Sequence, residues 1–287
     1  MNAKTAFWLC LLLAGAAPAA AADLGAAVKF GRDTGATLLV QPPQLSGEVV
    51  FESGASAEQD EEGDTVLFQG QLEGKDFRFE VSRRRSDGSW SPWLQAYIQH
   101  YPNGRFWGKA EVPYGRGSLR LRALSKSGAA REVKIFSVEV FTAGDREPLQ
   151  ARGPLTPPPA HPKPLAHGRK EWKASAPKQD YEPQTPERLT MHHSDGKYTT
   201  GLEDTLQEIK LIQEFHMNGR GWNDIAYHYL IDAAGNIVEG RPELVVGAHT
   251  LNENVNNVGI VLLGSYHPPR SDTITPESLN AFLDLAR

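Results

Sequence analysis

Two kinds of hydrophobic pattern divide the chain. From Asp23 to about Thr142, apolar and polar residues alternate: Phe77, Phe79 and Val81 are separated by Arg78 and Glu80, and Leu119 and Leu121 are followed by Arg120 and Arg122. A period of two sends successive side chains to opposite faces, which predicts half-buried strands. Further strands are expected at Thr65 to Gln69 and Glu132 to Phe141, with breakers at Ser86-Asp87-Gly88, Pro102-Asn103-Gly104 and Gly115-Arg116-Gly117. Strands with one apolar face bury it by stacking as two antiparallel sheets, so residues 23–145 are expected to form an all-β sandwich.

Between Glu147 and Pro186 the pattern breaks down, and half of the 20 prolines fall there. Pro157-Pro158-Pro159 and His161-Pro162-Lys163-Pro164 favour an extended, semi-rigid spacer, placed at residues 146–167. Beyond it, over residues 168–287, strand and helix patterns alternate. Arg188 to Ser194 reads as a strand, and Thr200-Gly201-Leu202-Glu203 has the form of a capping box. Leu202, Leu206, Ile209, Ile212 and Phe215 follow at helical spacing, and Asn218-Gly219 ends the helix. Tyr227 to Ile231 and Asn236 to Glu239 read as strands around Ala233-Ala234-Gly235, and Val258 to Leu263 as a strand buried on both faces. Thr275-Pro276-Glu277 opens a last helix with Leu279, Phe282, Leu283 and Ala286 on one face; its apolar stripe runs on to Arg287 without a closing Gly, Asn or Pro.

Composition adds three constraints. A net charge of -5 gives no basic field for a nucleic-acid backbone, so no nucleic-acid partner is expected. Lys4, the apolar run from Ala6 to Gly15 and the alanines ending at Ala22 form an export signal at residues 1–22, too short in its apolar part to span a bilayer. The mature protein is therefore expected in the periplasm or secreted, without a membrane span. Cys10, the only cysteine, lies within that signal, so the mature chain has no disulfide.

Chemistry concentrates in the last third. His192, His193, His216, His228, His249 and His267 all follow Arg188, and clustered imidazoles suit metal or acid–base work, although any one of them is more often an ordinary hydrogen-bonded histidine. Neighbours on a strand face opposite ways, so at most one of His192 and His193 can serve a given ion. In the N-terminal part, Trp90, Trp93, Tyr97, Tyr101, Phe106 and Trp107 serve either as core or as a platform for sugar rings, with core the commoner use. The acidic run from Asp60 to Asp64 reads as a solvated loop.

Several motifs in order resemble one family. They are Arg169-Lys170-Glu171-Trp172, Leu189-Thr190-Met191-His192-His193-Ser194, Ile212-Gln213-Glu214-Phe215-His216-Met217 and the run from Gly221 to Ile231. Glu239-Gly240-Arg241-Pro242, Gly247-Ala248-His249-Thr250, Asn254 and the run from Val258 to Gly264 complete the set. Over residues 168–287 the chain is similar to the zinc-dependent N-acetylmuramoyl-L-alanine amidases and peptidoglycan recognition proteins. The resemblance implies an α/β amidase domain with a mixed central sheet flanked by helices. It implies His192 as a Zn2+ ligand, Tyr227 as the catalytic residue supporting attack on the amide carbonyl, and Ser194, His216, Arg220, Trp222, His249 and Asn254 as contacts to a muropeptide. Gly221-Trp222 after Arg220 is similar to the pair found where the stem peptide carries meso-diaminopimelate. A guanidinium fork suits a stem carboxylate.

The family's other two zinc ligands, a histidine and a cysteine or aspartate, follow the helix in which this sequence stops. Two readings remain open: a fragment of an amidase that hydrolyses the bond between N-acetylmuramic acid and L-alanine, or a non-catalytic peptidoglycan-binding module. The open-ended last helix favours the fragment.

Overall fold

In a computed structural model, residues 36–40, 49–59, 62–72, 74, 76–125, 131–142, 163–267 and 271–287 are described. The expected export signal, with Cys10, and residues 146–162 of the expected spacer lie outside them. Among the described residues no helix is long and apolar enough to cross a membrane.

The N-terminal part is all β. Strands β1 (Ala36–Val40), β3 (Gly63–Leu72), β6 (Tyr97–His100), β7 (Arg105–Gly115) and β9 (Arg131–Phe141) form one antiparallel sheet in the order β1-β9-β3-β7-β6. Strands β2 (Val49–Glu52), β4 (Phe77–Arg83), β5 (Leu94–Gln95) and β8 (Leu119–Ser125) form a second, in the order β2-β8-β4-β5. Both contribute to one core: Val66, Phe68, Phe106, Ile135 and Val138 from the first sheet meet Phe79, Val81, Leu119 and Leu121 from the second. The alternation at Phe77–Val81 and Leu119–Leu121 is this inward face. Gly88 and Gly104 take φ of 82° and 78° in the turns, which the missing Cβ allows.

The aromatic residues of this part divide between uses. Phe106 and Trp107 are buried, Trp90 and Trp93 stack against Arg120 and Arg122, and Tyr97 is exposed. They do not make one platform.

The C-terminal part centres on a mixed sheet, β10-β13-β11-β12, built from β10 (Arg188–His193), β11 (Tyr229–Ile231), β12 (Ile237–Glu239) and β13 (Asn257–Leu262). β13 runs parallel to both neighbours, while β11 and β12 are antiparallel. Helix α1 (Leu202–Glu214) covers one face through Ile209 and Ile212, against Leu230, Val238, Val261 and Leu263. Helix α2 (Pro276–Leu285) covers the other through Ala281, Phe282 and Leu285, against Tyr229, Ile231, Ile260 and Leu262. Two covered faces explain why β13 is an unbroken apolar run.

Three local expectations differ from the structure. The cap of α1 is Gly201, with no side-chain cap bond, so the Thr200–Glu203 box does not form; Glu203 and Asp204 in the first turn complement the helix dipole instead. The box forms at α2, where Thr275 and Ser278 cap reciprocally. The buried face of α2 includes Ser278 and Ala281, while Leu279 and Leu283 are exposed, because the helix meets the sheet one residue round from the predicted stripe. The last residues expected in the spacer are also held: Lys163 pairs with Glu243 at 2.6 Å, and His167 bridges Val238 on the edge of β12.

The two parts pack directly on each other. Arg105 of β7 meets Glu208 of α1 with two 2.6 Å bonds, and neither side chain is exposed to solvent. Leu67 and Trp107 pack against Leu211 and Phe215, and Tyr101 donates to Glu214 at 2.6 Å. Such a desolvated bidentate pair fixes orientation, since few relative placements satisfy it.

Candidate functional site

After α1 the backbone widens into a π-helical turn, Phe215–Gly219, where Arg220 N–H donates to the Phe215 carbonyl. π-turns are uncommon and often adjoin functional sites. This one presents His216, with Arg220 immediately after it. His216 is buried; its Nδ1 accepts from Ala226 N–H at 3.2 Å, and its ring lies 4.9 Å from Trp222 and 5.8 Å from Tyr227.

β10 carries His192 in register with Val261, and His193 with Leu262. The two imidazoles therefore leave the sheet on opposite faces, His192 on the α1 side. Its ring is 5.5 Å from Tyr227 and 5.0 Å from His249. The close approach of His249 depends on glycine. A Cβ on Gly259 would sit 2.4 Å from His249 Cγ, and one on Gly247 would sit 2.5 Å from His249 Cδ2. Asn254, buried, accepts from His249 N–H at 2.7 Å and Thr250 N–H at 2.8 Å, which fixes the loop that carries the ring.

The tautomers follow from the network. His249 Nε2 lies 3.0 Å from the Asn257 carbonyl, which can only accept, so Nε2 carries the proton and Nδ1 the lone pair. His192 Nε2, 3.0 Å from that Nδ1, then donates, leaving Nδ1 as the lone-pair nitrogen of His192. Burial favours these neutral forms. It pushes His192 down to about 4, with His193 adding to the effect, and His249 down to about 3, with His228 adding. His216 is held well below its ordinary value by burial first, then by Arg220 and Arg241. A neutral imidazole is the form that can ligate a metal or accept a proton.

His192, Ser194, His216, Arg220, Trp222, Tyr227, His249 and Asn254 all line one groove of about 420 Å³. Ser194 also ties strand ends together, its hydroxyl accepting from Gly196 and Gly264 N–H. His228 is not in the groove. Its Nδ1 accepts from Gly259 N–H and its Nε2 donates to the Val245 carbonyl, each at 2.9 Å, so it braces the backbone.

The opposite wall was not foreseen. Gln69, Ser137, Glu139 and Phe141 of the N-terminal sheet complete the groove, and the Glu139 carboxylate pairs with the Arg220 guanidinium. Arg220 also lies 4.8 Å over the Trp222 ring and 5.7 Å over Phe141. In sequence Glu139 is one polar position on a strand, and nothing local marks it.

For zinc the donor set decides the fit. Beside His192 stand Tyr227, His249 with both ring nitrogens engaged, and Thr250. Among the described residues this gives one donor of the three a catalytic zinc takes, so the side chains beside His192 do not by themselves fit a catalytic zinc. A different trio, His193, Asp195 and His267, brings its ligand atoms within 4.8 Å of one another. Two imidazoles and a carboxylate are a zinc-compatible set.

Residues 182–287 match the family model described as N-acetylmuramoyl-L-alanine amidase. This segment belongs to that family. Peptidoglycan-recognition protein SC2 of Drosophila simulans is 38% identical over 91 residues, which cover 32% of this chain and 48% of that protein. Peptidoglycan-recognition protein LB of Drosophila melanogaster is 36% identical over 121 residues, covering 40% of this chain and 51% of that protein. The chain thus spans about half the length of these amidase-family relatives. A solved structure of peptidoglycan recognition protein-LE in complex with tracheal cytotoxin is 32% identical, covering 42% of this chain and 70% of that one at a TM-score of 0.40. Glu139 and the rest of the N-terminal wall lie outside the matched segment.

Proposed function

We propose that this chain is an exported peptidoglycan-binding protein whose groove takes the stem peptide of a muropeptide, of the meso-diaminopimelate type. The observation that carries this is the convergence of His216, Arg220, Trp222, Tyr227, His249 and Asn254 on one groove, within a segment of the amidase and peptidoglycan-recognition family. The chemistry is apt. Arg220 offers a fork for a carboxylate, Trp222 and Tyr227 offer ring faces for the peptide's apolar stretches, and neutral His216 and His249 offer directional hydrogen bonding. Pull-down on purified sacculi tests it. The full chain is retained, and Arg220→Ala with His216→Ala reduces retention several-fold; unchanged retention overturns the groove as the binding site.

Hydrolysis of the amide between N-acetylmuramic acid and L-alanine is the second reading, favoured by the 5.5 Å approach of His192 to Tyr227. In it His192 Nδ1 would be one of three zinc ligands, and the Tyr227 hydroxyl would steady charge developing on the attacked carbonyl. Zinc, when bound, supplies an activated water. Two donors besides His192 are required. Zinc-dependent release of stem peptides from sacculi by this chain, lost in Tyr227→Phe, selects this reading; retention without release selects binding alone.

A further inference from the structure

His193 leaves β10 on the face opposite His192, in register with Leu262, whose side chain packs under α2. β10 and β13 are parallel, so their carboxyl ends share one edge of the sheet, the edge outside which such sheets commonly take ligands. Asp195 follows β10 at φ 47°, a left-handed value that Asp tolerates better than most residues, and it is buried. His267 comes from the turn after β13, and its ring stands at 90° to that of His193 with centroids 4.9 Å apart.

The backbone holds these three side chains together. Ser194 Oγ accepts from Gly196 N–H at 3.1 Å and Gly264 N–H at 3.0 Å, which joins the segment bearing Asp195 to the one leading to His267. That second segment closes on itself: Asp272 accepts from Ser265 N–H and donates its own N–H to the Ser265 carbonyl, each at 2.7 Å, and Ser271 N–H donates to the His267 carbonyl at 3.0 Å. One ligand atom from each of His193, Asp195 and His267 lies within 4.8 Å of the others. A polar atom of each, His193 Nδ1, Asp195 Oδ2 and His267 Nε2, is shielded from solvent. A tetrahedral zinc with bonds of about 2.0–2.2 Å holds its ligand atoms about 3.3–3.6 Å apart, so modest side-chain rotations close the set. Each side chain carries a second nitrogen or oxygen, so ligation through one atom leaves the other for hydrogen bonding.

We propose that His193, Asp195 and His267 form a structural zinc site, separate from His192, that pins the turn after β13 to the end of β10. Two imidazoles with one carboxylate suit zinc better than calcium or magnesium, which prefer oxygen alone. Three protein donors leave a fourth position for a water. Because the donors converge only in the folded chain, the ion stabilises the fold. The site needs neither the stem-peptide reading nor the hydrolytic one.

Zinc titration of the full chain, stripped of metal with chelator and carrying nitrogen-15 in its histidines, tests this on wild type and needs no variant to fold. Zinc is expected to shift the ring nitrogens of His193 and His267 and to leave those of His192 and His249 in place. Binding that leaves His193 and His267 unmoved, or no binding, overturns the site. His267→Gln and Asp195→Asn should each lower zinc affinity at least about a hundredfold, since loss of a ligand costs more than loss of a group behind one. His192→Gln should bind zinc as wild type does. Zinc should raise the Tm of wild type and of His192→Gln and leave that of His267→Gln unchanged. Equal zinc affinity in wild type and His267→Gln would overturn the assignment.

Discussion

His192 Nε2 lies 3.0 Å from His249 Nδ1, and this contact decides which nitrogen of His192 is free for the groove. The Asn257 carbonyl fixes the His249 proton on Nε2, and His249 in turn fixes the His192 proton on Nε2. Nitrogen-15 shifts of labelled protein at neutral pH should therefore report both rings as Nε2–H tautomers. In His249→Ala, the His192 signal should move toward a mixture of tautomers. A wild-type His192 protonated on Nδ1 would remove the reason to regard that atom as a ligand.

Gly259 makes room for His249. Alanine there would place its Cβ 2.4 Å from the ring's Cγ, inside a strand with no slack in its register. Gly259→Ala should destabilise the protein by about 1–3 kcal/mol and displace the His249 ring. Gly168→Ala, whose new Cβ would find its nearest atom 3.8 Å away, is the matched control and should change stability by less than about 0.5 kcal/mol. Equal effects of the two in urea unfolding would show that the imidazole is not held against β13.

Much of this was legible in the residues. Alternation at Phe77–Val81 and Leu119–Leu121 marks inward faces that the structure uses, and the apolar run of β13 marks a strand covered on both sides. The groove residues of the C-terminal part were legible because they sit in ordered local motifs, from His192 to Asn254. The far wall was not. Glu139 reaches Arg220 because the Arg105–Glu208 pair, the Tyr101–Glu214 bond and the packing of Leu67 and Trp107 on Leu211 and Phe215 hold the two parts together, contacts between distant positions that no local pattern encodes. The missed cap at Thr200 has a similar origin, since α1 is held by burial of Ile209 and Leu211 and by the Lys197–Asp204 pair, which leave little for a capping side chain to add.

That lock can be broken from one side. Arg105 is fully buried, with Glu208 and Gln69 as side-chain partners and the Gly70 carbonyl as a third acceptor. Glu208→Ala leaves the guanidinium without its counter-charge and should cost about 3–5 kcal/mol. The double replacement Arg105→Met with Glu208→Leu should recover most of that loss, because a buried pair gains little over apolar residues of similar volume. Urea unfolding of wild type, Arg105→Met, Glu208→Leu and the double replacement closes the cycle and gives the coupling energy. A Glu208→Ala loss below about 1 kcal/mol would mean the pair does not hold the parts together in solution.

Two histidines outside the His192–His249 contact make stability depend on pH. His228 is fully buried and neutral, with its Nδ1 accepting from Gly259 N–H; burial pushes its pKa down to about 4, with Arg241 lowering it further and the Val245 carbonyl and Glu243 opposing. His249 also faces it, ring to ring at 5.5 Å. His216, facing Arg220, Arg241, Trp222 and Tyr227, is depressed in the same direction. An unfolded chain takes up these protons near pH 6.5 and the folded protein does not, so the unfolded state binds more protons below that point. The stability these groups contribute is complete above about pH 7 and falls as pH drops from 6.5 toward 4, by up to about 1.4 kcal/mol per pH unit for each. In His228→Asn, Oδ1 stands where Nδ1 accepted, so the Gly259 bond survives and one proton leaves the linkage. Urea unfolding between pH 4.5 and 7.5, spanning roughly the window of the shift, should show a shallower acid slope for this variant by about one proton. An identical slope in the two proteins would mean that His228 is protonated in the fold and that its backbone brace is drawn wrongly.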